Sequence, residues 1–207
     1  MPEITGVRER RGRARVFVDG EFWAEIDPGV AAERGLREGV ALSLEELSEA
    51  RVAGERALAM NRALHFLGYR ARSEKELRDR LRRYGYGEET VGSVVGRLKE
   101  FGYLDDEEFA RLAVREKARR YGPRRVLGEL RKSGVEAELA QGVVDEEFAG
   151  RSELEEATSA AARRYNRGGS NAAEARGVYG FLMRRGYSAG VCAEVAREYR
   201  GASGAEE

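Results

Sequence analysis

Few residues in this chain could do chemistry. The densest group is acidic: Asp105, Asp106, Glu107 and Glu108 stand in a row, the residue types that hold a cation or move a proton. Such a site needs partners at matching spacing, and no second acidic cluster supplies them. The only histidine is His65 and the only cysteine is Cys192. Asp105 instead has Glu108 three residues on, which is capping-box spacing. Carboxylates at a helix start accept its unpaired N–H groups and favour the helix dipole by about 0.3–1 kcal/mol each. His65, on an apolar helix flank, reads as a packed or half-buried imidazole. Cys192, between Val191 and Ala193, reads as a small buried apolar residue. No Gly-x-x-x-x-Gly-Lys-Ser/Thr phosphate loop occurs. The expectation is a chain with no catalytic residue, no cofactor and no metal.

The basic residues are more informative. Lys+Arg and Asp+Glu both number 37, so the 207 residues sum to zero charge. From Arg111 to Lys132, however, nine basic residues face two acidic ones, and the stretch Glu136 to Glu156 holds eight acidic residues and only Arg151. A neutral sum conceals a polarised molecule, with a basic side suited to anionic partners. One cysteine excludes an internal disulfide and suits a reducing cytoplasm. No apolar run approaches the ~20 residues of a membrane span, so a soluble, cytoplasmic chain is expected.

The elements that must carry these residues fall into two classes. Ile4 to Arg10, Arg13 to Val18 and Glu21 to Ile26 read as short strands joined at Arg11-Gly12 and Asp19-Gly20, the latter a type I′ hairpin signal. Phe17, Phe22 and Trp23 are assigned to the small core this sheet needs, although aromatics among arginines could also stack on bases. A helical turn from Asp27-Pro28 to Gly35 and a last strand at Val40 to Leu42 complete a β-rich segment over 1–42.

Helices follow. Ser43 with Glu46 forms a capping box before a helix that runs to about Gly68, with a bend possible at Gly54. Ser73 with Glu76 opens the next helix, which carries Leu77, Leu81 and Tyr84 inward to Gly85. The helix of Val91, Val94, Val95 and Leu98 ends at Gly102, and Phe109, Leu112 and Ala113 give the following one an inward face. Gly122-Pro123 restarts the chain. Leu81-Arg-Arg-Tyr-Gly85-Tyr86, Leu130-Arg-Lys-Ser-Gly134-Val135 and Leu182-Met-Arg-Arg-Gly186-Tyr187 then share one pattern, with leucines 49 and 52 residues apart. A period near fifty means a tandem helical array whose neighbours share core. The fold expected is mainly α: three three-helix repeats (43–104, 105–150 and 151–200) in an elongated curved array. A loose loop at Gly168-Gly169-Ser170-Asn171 and a disordered tail at 201–207 are expected too.

Three segments carry a resemblance. Arg72-Ser73-Glu74-x-Glu76-Leu77, then Gly102-Tyr103-Leu104-Asp105-Asp106-x-x-Phe109-Ala110, then Gly122-x-x-x-Val126-x-x-x-Leu130-x-x-x-Gly134-Val135, resemble the RecX family in order and spacing. Leu182-x-x-Arg185-Gly186-Tyr187 fits as well, and the likeness covers roughly residues 57–199. Val126 and Val135 stand where the family often has isoleucine. The resemblance implies a non-enzymatic regulator of the RecA recombinase, active in homologous recombination, DNA repair and the SOS response. It implies binding to the RecA–DNA filament, an array lying in the filament groove, and inhibition of strand exchange, ATP hydrolysis and coprotease function. Partners would be the RecA filament and single- or double-stranded DNA, met by a monomer. An alternative is a DNA-binding protein independent of RecA; another is an adaptor for some other partner.

Local charge alone nominates the contact surface. Arg119, Arg120, Arg124, Arg125, Arg131 and Lys132 are its expected centre, with Arg82, Arg83, Arg184 and Arg185 beside it. Three of these pairs (Arg82-Arg83, Arg131-Lys132 and Arg184-Arg185) precede the repeat glycines near helix C-termini, where the dipole attracts cations. Base reading usually uses the start of a recognition helix, so phosphate tracking or protein binding is the expectation.

Overall fold

A computed structural model of the chain describes residues 1–165 and 172–200. The loop expected at Gly168 to Asn171 and the tail expected at 201–207 lie outside the described residues. Within them the protein is mainly helical, with a three-stranded antiparallel sheet at the start. It divides into two compact units, Met1–Asp105 and one beginning at Asp106. No helix among the described residues is long and apolar enough to cross a membrane.

In the first unit, β1 (Ile4–Arg10), β2 (Arg13–Val18) and β3 (Glu21–Ile26) pair in sequence order. Both hairpin turns take positive φ at both central residues, Arg11 and Gly12 in one, Asp19 and Gly20 in the other. That is the type I′ conformation whose twist matches the flanking strands. The buried face carries Ile4, Ala14, Val16, Ala24 and Ile26 and packs on α1 (Pro28–Glu33) and α2 (Leu44–Tyr69).

The aromatic core expected here is only partly present. A register shift between Val16 and Phe17 sets Phe17 opposite Phe22, one step off the Val16–Ala24 pair. Phe17, next to buried Val16, faces outward by ordinary alternation, and the extra residue at Trp23 turns Phe22 out beside it. Phe22 is 51% exposed, and Arg15 lies 5.0 Å from its centroid. Trp23 alone stays packed against the core. The last strand shrinks to a single bridge between Glu3 and Ala41.

Helix α2 starts on the capping box: Glu46 N–H donates to Ser43 Oγ at 3.1 Å and Ser43 N–H to the Glu46 carboxylate at 2.7 Å. Its Gly54 serves close approach. The helix lies so near β3 that a Cβ there would stand 2.6 Å from Ile26 Cγ2, and the Gly54 carbonyl accepts the Asp27 N–H at 3.4 Å. Gly54→Ala is expected to cost about 1–3 kcal/mol of stability by overpacking. Gly68→Ala, in the same helix with nothing within 4 Å, should instead stabilise by up to ~1 kcal/mol. Urea unfolding of the two variants checks the opposite signs.

Helices α3 (Glu74–Arg83) and α4 (Glu88–Glu100) close on the second half of α2 around Ala59, Phe66, Leu77, Leu81, Val95 and Leu98. Tyr84, expected inside, is 50% exposed. Gly102 ends this unit's last helix at φ +72, and Leu104 packs back into the same core.

The second unit holds α5 (Asp106–Lys117), α6 (Pro123–Lys132) and α7 (Ala137–Phe148), then α8 (Glu153–Ala162), α9 (Ala172–Arg185) and α10 (Ala189–Glu198). The inward face of α5 is Phe109, Ala110 and Val114, while Leu112 is 49% exposed, contrary to expectation. Each helix triplet closes a separate apolar cluster, one around Val126, Leu130 and Val143, the other around Val178, Leu182 and Val195. The expected sharing of core between repeats is replaced here by a polar junction.

Candidate nucleic-acid and partner interface

The polar junction is built from the nominated arginines. Helix α6 has Gly122 at its N-cap and no side-chain cap, so its first N–H groups need acceptors. They find the C-terminal end of α9: Gly122 N–H donates to the Arg185 carbonyl at 2.8 Å and Arg124 N–H to the Gly186 carbonyl at 3.2 Å. The positive end of one helix meets the negative end of another.

Two arginines fasten the same contact reciprocally. Arg125 donates to the Arg184 carbonyl at 2.8 Å, lies 4.1 Å from the Tyr121 ring centroid, and pairs with Glu129. Arg185 donates to the Arg120 carbonyl at 2.9 Å and covers Phe181 at 4.7 Å. Hydrogen bonds from Lys117 and Arg125 hold the Glu129 carboxyl below its ordinary pKa, against the opposing effect of burial. Gly186 makes the approach possible, at φ +89 with the Arg125 backbone directly against it.

The nominated residues thus divide. Arg125 and Arg185 are half-buried and occupied within the fold. Arg82 is bound by both oxygens of Glu88 and by Asp79, and Glu88 raises its pKa further. Arg83 is exposed, with its Nε on the Asp79 carbonyl at 3.2 Å. Arg119, Arg120, Arg124, Arg131 and Arg184 are exposed, and among the described residues no carboxylate lies within ion-pair distance of any of them; Lys132 is exposed too. Arg120, Arg124 and Arg184 flank the junction, whereas Arg131 and Lys132 stand at the far end of α6. Arg82 and Arg83 belong to the first unit.

The lone cation of the acidic stretch is a staple. Arg151 reaches Glu147, Glu156 and the Ala118 carbonyl, and its guanidinium covers Phe148 at 4.6 Å. Cys192 is fully buried, which pushes its thiol pKa up. His65, expected to be packed, is exposed and stands edge-on to Tyr69 with centroids 5.0 Å apart. The acidic row at the start of α5 contributes Glu107 to an ion pair with Arg111, the neighbour that i,i+4 spacing offers.

Sequence reasoning missed a second basic group, in the first unit. Arg62, Arg70, Arg72 and Arg80 come together there with His65, Tyr69 and Tyr84. Charge density along the chain does not reveal it, because its members come from two helices and the link between them.

This architecture, tandem three-helix domains behind a small antiparallel sheet, is that of a known class. The profile of the first three-helix domain of RecX matches residues 59–98, and that of the second matches residues 105–143. A crystal structure of regulatory protein RecX superposes with a TM-score of 0.63 at 22% identity, covering 95% of this chain and all of that one. Regulatory protein RecX of Caldanaerobacter subterraneus subsp. tengcongensis is 33% identical over 149 residues, 72% of this chain and 76% of the relative. Regulatory protein RecX of Lactobacillus johnsonii is 33% identical over 145 residues, and there the match spans only 54% of the relative's length. The chain belongs to the RecX family.

Proposed function

We propose that this protein is a regulator that binds the RecA–DNA filament and lowers its recombinase, ATPase and coprotease activities. It does so by lying in the filament groove or by blocking filament extension. The observation that carries this reading is family membership, since the relatives matched over about three quarters of their length are regulatory proteins of the RecX type. The surface is compatible with it: Arg119, Arg120, Arg124 and Arg131 are exposed without carboxylate partners among the described residues and can meet phosphates or an acidic protein face. A three-helix repeat plan also lets one small chain contact more than one protomer of a partner.

The same exposed arginines support a second reading, a sequence-nonspecific DNA-binding protein that acts without RecA. Strand exchange by RecA on single-stranded DNA, with this protein titrated from well below the RecA concentration up to the amount that covers the DNA, separates the two. A regulator that blocks extension inhibits at a small fraction of the RecA present. A DNA competitor inhibits only near the amount that covers the DNA. No inhibition at any ratio would refute the regulator, and the affinity for bare DNA would then decide the second reading.

A further inference from the structure

The first unit contains a basic recess of about 500 Å³ that none of the nominated residues enters. Helical spacing brings Arg62, Phe66 and Tyr69 to one side of α2, and Arg80 and Tyr84 stand one turn apart on α3 and its cap. The linker between the helices adds Arg70 and Arg72. Phe66, 4% exposed, lines the recess, with the Arg80 guanidinium 4.6 Å and the Arg72 guanidinium 5.8 Å from its ring centroid. Tyr84 packs on Phe66 at 5.4 Å, and Arg62 covers Tyr84 at 4.7 Å. At the mouth, Tyr69 is 76% exposed beside His65.

The charges are not balanced. Among the described residues no carboxylate lines the recess; Glu76, outside its lining, sits 2.9 Å from Arg70 and 4.0 Å from Arg72. Arg62 and Arg80 have no carboxylate within ion-pair distance among the described residues, and Arg80 Nε is buried without a hydrogen-bond partner. Burial first, then the charges of Arg70 and Arg80, hold the Arg72 pKa below its ordinary value. Guanidiniums gathered around rings repel one another, and cation–π contacts return only about 0.5–2 kcal/mol each. An anion placed among them would relieve that repulsion.

The anion's kind follows from the aromatics. A carboxylate segment needs only the cations, whereas exposed rings interleaved with arginines suit bases stacked beside their phosphates. A second recess of about 240 Å³ continues from Arg62 and His65 to the first hairpin turn. There Arg11 is exposed and Arg13 is paired with Glu25 at 2.7 Å, so Arg11 is the cation that extends the surface. We infer that this recess binds single-stranded nucleic acid, with a phosphate among Arg62, Arg70, Arg72 and Arg80 and a base on Tyr69 or Tyr84. The inference deepens the reading of a filament regulator and rests on it for the source of the strand.

The test is fluorescence anisotropy of a labelled oligothymidine with the full chain over a salt series, beside RecA ATPase inhibition by the same proteins. Tyr69→Ala, at an exposed position, keeps the fold and should weaken binding about 5- to 150-fold with an unchanged salt slope. Arg80→Gln should weaken binding and flatten the log–log salt slope by about 0.7. Two variants that bind as tightly as the parent would overturn the site. Displacement of the oligonucleotide by polyglutamate as readily as by unlabelled strand would overturn the nucleic-acid assignment. A parent chain that inhibits RecA but does not bind the oligonucleotide would sink this inference and leave the regulatory reading standing. Tyr69-dependent binding without RecA inhibition would support the site and sink that reading.

Discussion

Gly186→Ala is expected to destabilise the second unit by about 2–5 kcal/mol, the largest effect of any single added methyl group among the described glycines. Two costs add at this position. Its φ of +89 is left-handed, which costs an L-residue roughly 1–2 kcal/mol. An added Cβ would also stand 2.9 Å from Arg125 Cα and closer still to its N and Cβ, forcing α6 away from α9. Gly134 is the internal control, because it occupies the same place in the preceding repeat at φ +85 with nothing within 4 Å. Gly134→Ala should therefore cost only the backbone part. Urea unfolding of both variants isolates the junction as the difference, and equal destabilisation would mean that the close approach contributes nothing.

The second large effect separates two adjacent arginines that charge counting treats alike. Arg125→Ala removes a charged hydrogen bond to the Arg184 carbonyl, the Glu129 ion pair and the cover over Tyr121, and should cost about 1.5–3 kcal/mol. Arg124→Glu, exposed and without a carboxylate partner among the described residues, should change stability by no more than about 0.5 kcal/mol. Filament or DNA affinity should respond in the other order: Arg124→Glu weakens it and lowers the salt slope by about 0.9 for each phosphate no longer neutralised. Thermal melts and a salt titration of binding check both halves. Unchanged binding by a stable Arg124→Glu protein would remove the basic face of α6 from the interface.

How much of the molecule is legible in its sequence depends on the range of the interaction. The strands and their turns are readable because Arg11-Gly12 and Asp19-Gly20 act on their immediate neighbours. The repeat pattern is readable because Leu81, Leu130 and Leu182 each face inward one turn before a glycine that ends its helix. What escapes is anything decided by a distant neighbour. Phe22 has the composition of a core residue, but the extra residue at Trp23 in β3 turns it outward. Leu112 satisfies helical spacing, yet the helices packed on α5 leave it half in water. Gly54 reads as a weak point in a helix, and the reason for it, Ile26, is 28 residues away.

The candidate site shows the same limit. Runs of arginine can be counted, but whether each guanidinium faces solvent or a carbonyl cannot. Arg125 and Arg185 are spent on carbonyls 59 and 65 residues away. The recess of the first unit escapes for the converse reason: Arg62 and Arg80 are separated along the chain and meet only when α3 folds back on α2.

The measurement that tests the central claim most directly compares the affinity of this protein for an assembled RecA filament with its affinity for the same bare single-stranded DNA at matched salt. A regulator of the filament binds it at concentrations where free DNA is unoccupied, and that preference persists as salt is raised and phosphate contacts weaken. Equal affinities that fall together with salt would contradict the account and leave a protein that binds DNA wherever it finds it.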